Sequence, residues 1–205
     1  MRRPLTALLL SIAMMSGTAF ANDIPMVAIG LPFAPETPQP LAPGHPLYKL
    51  VEISEIEDLP PTVKSSSLNF IAAAKRSSIN EGLRESFRRM NLLATDPTAA
   101  RGLLSVTWVG SQTPFKIGGR NSASVTLRYR LNRKSNGELL FDREITTTAD
   151  GGGVDASMRD NGTVRAAIAA NFASAANCLD RAALGTAPED CALAPQFSVS
   201  IIRRR

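Results

Sequence analysis

Cys178 and Cys191 are the pair of residues in this sequence with the most specific chemistry. Twelve residues separate them, one falling late in a helical pattern and the other in a Pro-containing tail. In an oxidising compartment such a pair is expected to bridge. Closing a loop of that size contributes on the order of 3 kcal/mol, mainly by restricting the unfolded chain. The redox alternative lacks a C-x-x-C spacing and a neighbouring Lys or His that would depress a thiol pKa.

The remaining candidates for chemistry are sparse. His45, the single histidine, lies between Gly44 and Pro46. It reads as a solvated residue with nothing to orient it as a base or a metal ligand. With no second histidine, a Ser-His-Asp triad or an H-E-x-x-H metal site would have to recruit His45 itself. Asp150-Gly151-Gly152-Gly153 reads as a loop before a helix, but it continues Val154-Asp155 and not the Lys-Ser/Thr pair of a phosphate loop. Asp150, Asp155 and Asp160 could converge on calcium, although their spacing is not that of an EF-hand. Glu52, Glu55, Glu57 and Asp58 are the most plausible acid–base carboxylates, and they read as a solvated strand end. Ser65–Ser67 and Thr146–Thr148 are hydroxyl runs with no base placed to activate them. No catalytic, cofactor-binding or metal-binding residue is therefore expected.

Charge points the same way. The 205 residues carry 23 Lys+Arg and 18 Asp+Glu, and the excess resides in Arg2 and Arg3 at one end and Arg203, Arg204 and Arg205 at the other. A neutral body argues against a nucleic-acid partner, which would need a basic stripe across the folded face. The terminal arginines could touch lipid or lipopolysaccharide phosphates, at about 1 kcal/mol each.

These residues must be positioned by four segments. Residues 1–21 combine Arg2-Arg3, an apolar run Leu5–Met15 and the small-x-small end Ala19-Phe20-Ala21, the pattern of a signal peptide cleaved after Ala21. The run is too short for a stable membrane span, which takes about 20 apolar residues. Residues 22–46 form a Pro-rich leader, nine of the 14 prolines falling between Pro25 and Pro61. Residues 47–184 read as the folded domain, and 185–205 as a C-terminal tail. A periplasmic location follows from the signal peptide.

Within the domain, Leu47–Ile56 is expected to be a first strand. Ser78-Ile79-Asn80-Glu81 fits a capping box, opening a helix to about Leu93 with Ile79, Leu83, Phe87, Met90 and Ala94 on one face. Leu103–Val109 is expected to be a strand. In Ser122–Leu131, Ala123, Val125, Leu127, Tyr129 and Leu131 alternate with polar residues, the mark of a half-buried antiparallel strand. Asn136-Gly137 supplies a tight turn, and Glu138–Thr148 returns with Leu139, Phe141 and Ile145 facing inward. A second helix should start near Asp160–Thr163 and run to about Leu184, with Val164, Ile168, Phe172, Ala175 and Leu179 inside. The order predicts a single two-layer α+β domain, an antiparallel sheet of about four strands with two helices on one face.

Several of these residues carry a family likeness: Asn80-Glu81-Gly82-Leu83-Arg84-Glu85-Ser86-Phe87, the Val125–Leu131 strand, Asn136-Gly137 with Leu140-Phe141-Asp142, and Arg165, Ala169 and Asn171 in the late helix. Over roughly residues 47–184 the chain resembles the YajG-like and ABC-type transport auxiliary-component proteins, small bacterial envelope lipoproteins. The resemblance implies a periplasmic α+β protein that assists lipid or solute transport, or envelope assembly, by binding a lipid or an envelope protein of an ABC transporter system, without catalysis or cofactor. The chain departs from them in having no lipobox cysteine. The alternatives are a structural or regulatory module associated with peptidoglycan or the outer membrane, and an acyltransferase. A deep apolar pocket would mark a lipid binder, and an exposed flat patch a protein binder.

Overall fold

The alternation in residues 122–131 lies at the centre of a sheet. The computed structural model describes residues 39–64, 72–113, 120–152, 156–185, 191 and 196–200. The segment 1–38, Ser65–Ser67, Asp155 and Arg203–Arg205 lie outside the described residues. The elements, in chain order, are β1 (Val51–Ile53), β2 (Thr62–Lys64), β3 (Ala72–Lys75), α1 (Arg76–Arg89), a short 3-10 turn (Pro97–Ala99), β4 (Gly102–Gln112), β5 (Arg120–Arg133), β6 (Leu139–Gly152), α2 (Ala156–Ala183) and β7 (Gln196–Ser200).

Five strands form one sheet in the order β1-β4-β5-β6-β7, and β2 pairs with β3 in a separate two-stranded sheet. The central pairs β4–β5 and β5–β6 are antiparallel, as the meander in the sequence requires. The edges β1 and β7 pair in parallel with β4 and β6, which makes the sheet mixed. Ala123, Val125, Leu127, Tyr129 and Leu131 of β5 are all buried, while Ser124, Thr126, Arg128 and Arg130 face the other side. Both helices cover the buried face: α2 lies across β5 and β6, and α1 packs beside α2. Their apolar stripes, Ile79, Leu83 and Phe87 in α1 and Val164, Ile168, Phe172, Ala175 and Leu179 in α2, join the sheet in a single core. The chain is an α+β domain of two layers.

Four local expectations are corrected. The strand expected over Leu47–Ile56 shrinks to Val51–Ile53, because the residues before it turn: Tyr48 and Leu50 donate to the carbonyls of His45 and Leu47, and Lys49 sits at φ 52. The capping box at Ser78–Glu81 does not form. β3 runs straight into α1, so the N-cap is Lys75, with no side-chain cap, and Arg76 N–H donates to Pro61 O. The Asn80 side chain accepts from Ile56 N–H instead.

The tight Asn136-Gly137 turn is replaced by a longer loop. Arg133 N–H donates to Glu138 O at 2.8 Å, only Gly137 takes a positive φ (73°), and the Asn136 side chain accepts from Glu138 N–H. A bulge between Leu131 and Asn132 then shifts the register. Phe141 and Ile145 point inward, but Leu139 is turned out and is 52% exposed. Last, Asp150, Gly151 and Gly152 continue β6 instead of looping. They pair with β5 on one side and β7 on the other, which supplies the backbone partners that glycine-rich segments otherwise lack.

Candidate apolar pocket at the open end of the sheet

α2 meets the sheet through two different surfaces. In its middle, Asn171 is fully buried opposite Tyr129 and Thr147. The Tyr129 hydroxyl donates to Asn171 Oδ1 at 2.8 Å. Asn171 Nδ2 lies within bonding distance of Val125 O (3.1 Å), Ile145 O (2.8 Å) and Thr147 Oγ1 (3.2 Å). The Thr147 hydroxyl donates to Ala167 O at 2.7 Å, back onto the helix. Burial pushes the Tyr129 phenol well above its usual value, so it stays neutral and serves as a donor, not a nucleophile. The polar seam therefore fixes the helix on the sheet.

The C-terminal end of α2 faces an open cavity of about 910 Å³. It forms where β4 begins, β5 ends and β6 starts. Its floor is Ala100, Gly102, Leu131, Phe141 and Leu179, all buried, and its wall is Leu47, Leu50, Ala182 and Ala183. A Cβ on Gly102 would lie 2.8 Å from Leu131 Cδ1, so a larger residue there would push this floor side chain aside. Arg101, Arg133, Lys134, Thr98 and Ser135 form a polar rim, and Leu140, 41% exposed, stands at its edge. An apolar cleft of this size with a few polar groups at its mouth is the usual form of a small-molecule site, which spans about 300–1,000 Å³. No carboxylate lines it among the described residues.

The segment carrying the wall is held in place. Leu41 is buried, its N–H donates to Met90 O, and its carbonyl accepts from Asn91 Nδ2. His45, expected to be solvated, has a side chain only 10% exposed and lies 2.9 Å from Asp180 of α2 through Nε2. Its Nδ1 accepts from Leu47 N–H at 3.1 Å, so the proton belongs on Nε2, facing the carboxylate. Nδ1 is therefore occupied, while Nε2 is buried against Asp180 without a hydrogen bond of good geometry.

Of the other sequence candidates, the two cysteines come together and the rest do not. Cys178 and Cys191 are joined in a disulfide, and Asn177 Nδ2 donates to Cys191 O at 2.7 Å beside it. Asp150 stands on the outer face of β6, whereas Asp160 is buried on α2 and accepts from Asn121 Nδ2 at 2.9 Å, so the sheet separates the two. Glu52 pairs with Lys134 at 2.7 Å, whereas Glu57 lies beside the Thr107 hydroxyl, so each faces its own partner. Thr146 and Thr148 bond across the strands to Thr126 and Ser124 in a hydroxyl ladder. No group of three or more metal-ligating side chains occurs among the described residues. No described helix is long and apolar enough to cross a membrane.

The pocket is what reading the sequence missed. Its residues are scattered over five elements and the segment before β1, and Leu131, Phe141 and Leu179 each appear in the sequence as ordinary core. The one local signal is the pair Arg133-Lys134 before the Ser135–Glu138 turn and the pair Leu139-Leu140 after it, a basic and an apolar pair flanking a hairpin tip.

No protein-family model matches the chain, and no curated protein matches it either. Among solved structures it is similar to a Xanthomonas campestris protein described by the family model DUF330, with a TM-score of 0.48 and 12% identity over 72% of this chain and 91% of that one. It is also similar to a hypothetical protein of Chlamydia trachomatis (TM-score 0.48, 11% identity, 66% and 98% covered). A third likeness is to a minor lipoprotein of Acinetobacter baumannii (TM-score 0.40, 10% identity, 65% and 93% covered).

Proposed function

We propose that this chain is a non-catalytic accessory protein of the bacterial cell envelope that works by holding an apolar ligand, a lipid or a lipid-like solute, at the end of its sheet. The observation that carries the reading is the cavity of about 910 Å³ floored by Leu131, Phe141 and Leu179. A buried floor of aliphatic and aromatic side chains gains by covering a chain, and nothing at its mouth is arranged to cut or transfer a bond. The neutral, bonded Tyr129 supports the absence of catalysis.

The rest of the assignment follows the sequence. Residues 1–21 export the chain to the periplasm, the Pro-rich leader of residues 22–46 ends in the docked stretch that carries Leu41 and His45, and Arg203–Arg205 contact an anionic surface from the tail. The resemblance to transport auxiliary components makes an ABC-type lipid transport system the natural partner.

The test is purification of the exported chain from the envelope under mild conditions, followed by lipid mass spectrometry. A lipid co-purifying in near-stoichiometric amount supports the reading. Recovery of a single protein partner with no lipid overturns it in favour of a scaffolding module.

A further inference from the structure

The pocket rim is basic, but its three cations are not equivalent. Arg133 pairs with Glu138, and Lys134 Nζ lies 2.7 Å from Glu52 Oε2 and 3.1 Å from Pro97 O. Arg101 makes none of the ion pairs found among the described residues, and its side chain is exposed. Its backbone is nevertheless fixed at both ends: the N–H donates to Leu50 O at 2.9 Å, and the carbonyl accepts from Lys134 N–H at 2.8 Å. The guanidinium is therefore delivered to the mouth of an apolar cleft with its planar set of donors uncommitted.

We infer that the pocket takes an acyl chain carrying an anionic head group, a carboxylate or a phosphate, and that Arg101 is the head-group contact. This rests on the reading of the cavity as a ligand site and goes further by fixing the charge of what it holds. The chain runs over Leu131, Phe141 and Leu179, where its burial is favourable at every methylene. The head stays at the rim, where an arginine fork matches a carboxylate or phosphate in two parallel hydrogen bonds. None of the described lining residues is a carboxylate, and Glu138 and Glu52 at the rim are each paired with a cation while Arg101 is in none of the described ion pairs, so the rim favours an anionic head over a cationic one.

The experiment uses the purified, delipidated mature chain with its disulfide intact. It is titrated calorimetrically with four probes of equal chain length, each below its micellar concentration: palmitate, palmitoyl-lysophosphatidylglycerol, hexadecyl maltoside and hexadecyltrimethylammonium. Both anions should bind about tenfold or more tighter than the neutral maltoside, the change that 1.4 kcal/mol makes, and the cation should bind weakest. The tighter of the two anions names the head group. Arg101→Ala should remove the anionic advantage and leave the maltoside affinity unchanged, while Ala183→Trp should abolish binding of all four. Equal binding of anions and maltoside, or an anionic preference that survives Arg101→Ala, overturns the head-group inference and leaves the cavity reading standing. Unchanged binding in Ala183→Trp overturns both, as does failure of every probe to bind. Thermal melts of each variant establish that it is folded.

Discussion

The middle of α2 and its C-terminal end rest on the same sheet and follow opposite rules. In the middle every polar group is paired: one asparagine satisfies a tyrosine and reaches two strand carbonyls, and the surrounding side chains exclude water. At the end the side chains are apolar, the helix stops at Ala183, and a cavity is left between it and the strand ends. The first arrangement fixes a geometry. The second keeps a surface available, which a protein that folded only for stability would close. The proposed ligand site therefore lies at the end of the helix where packing is incomplete, and the seam is what allows that incompleteness, because it holds α2 in register without the missing contacts.

Asn171→Ala should break the comparison most strongly. It strands the Tyr129 hydroxyl and withdraws a donor from the Val125 and Ile145 carbonyls, and a buried group left unpaired costs about 1–3 kcal/mol. A loss of about 4 kcal/mol in urea unfolding is expected. A loss under about 1 kcal/mol would mean that water replaces the side chain and that the seam is not sealed. Opening the Cys178–Cys191 bond, by substitution of both with Ala, should cost about 3 kcal/mol, read as a lowered melting temperature that reductant reproduces in the parent chain.

Tyr129→Phe is the milder test of the seam, removing one donor and leaving Asn171 Oδ1 unpaired, for about 1–2 kcal/mol. It also has a signature in pH. Because burial raises the folded phenol above its unfolded value, the contribution of Tyr129 is fully present below about pH 10 and is lost as pH climbs through the folded value. The parent should lose stability in that alkaline range by a component that Tyr129→Phe lacks. At the other end of the helix, Ala183→Trp projects into the cavity and should change stability by less than about 0.5 kcal/mol. A large destabilisation there would mean that the end is as tightly packed as the middle.

The same contrast explains what could be read from the sequence. Periodic apolar positions identify elements, so β5 and both helices, with Ile79, Leu83 and Phe87 or Val164, Ile168 and Phe172 inside, were legible from spacing alone. Elements defined by pairing were not. β1 is three residues long and finds a parallel partner across an intervening hairpin and helix, and β7 adds in parallel to a β6 that carries glycines. Asn171 looked like one polar residue in an Ala-rich helix, since its partners are 24 to 46 positions away. The pocket was invisible for a related reason: a one-residue bulge at Leu131/Asn132 decides that Leu139 and Leu140 face outward while Phe141 floors the cavity. Alternation predicts sides of a strand only while its register holds. His45 was misjudged because Gly and Pro flank it, and the contact that holds it comes from Asp180, far along the chain.

The smallest effect is in acid, and it sharpens the comparison by lying outside both regions. Glu85 on α1 is held at about 2 by hydrogen bonds from Arg88 and Arg89, and Asp142 on the outer face of β6 is held at about 2, first by Arg128 and then by Arg130. Carboxylates depressed in the folded state stabilise it above their unfolded values, 4.5 and 3.8, and that contribution fades as pH falls toward 2. Their arginine partners are exposed, so the effect is modest and weakens with salt. Urea midpoints measured from pH 6 down to pH 2 should decline less steeply in Glu85→Gln/Asp142→Asn than in the parent. Because neither carboxylate shares a partner with Asn171 or lines the pocket, the acid decline should have the same slope in Asn171→Ala and Ala183→Trp as in the parent. A slope that changes with either variant would show that the charged surfaces, the seam and the cavity respond as one unit, and that the division drawn along α2 is wrong.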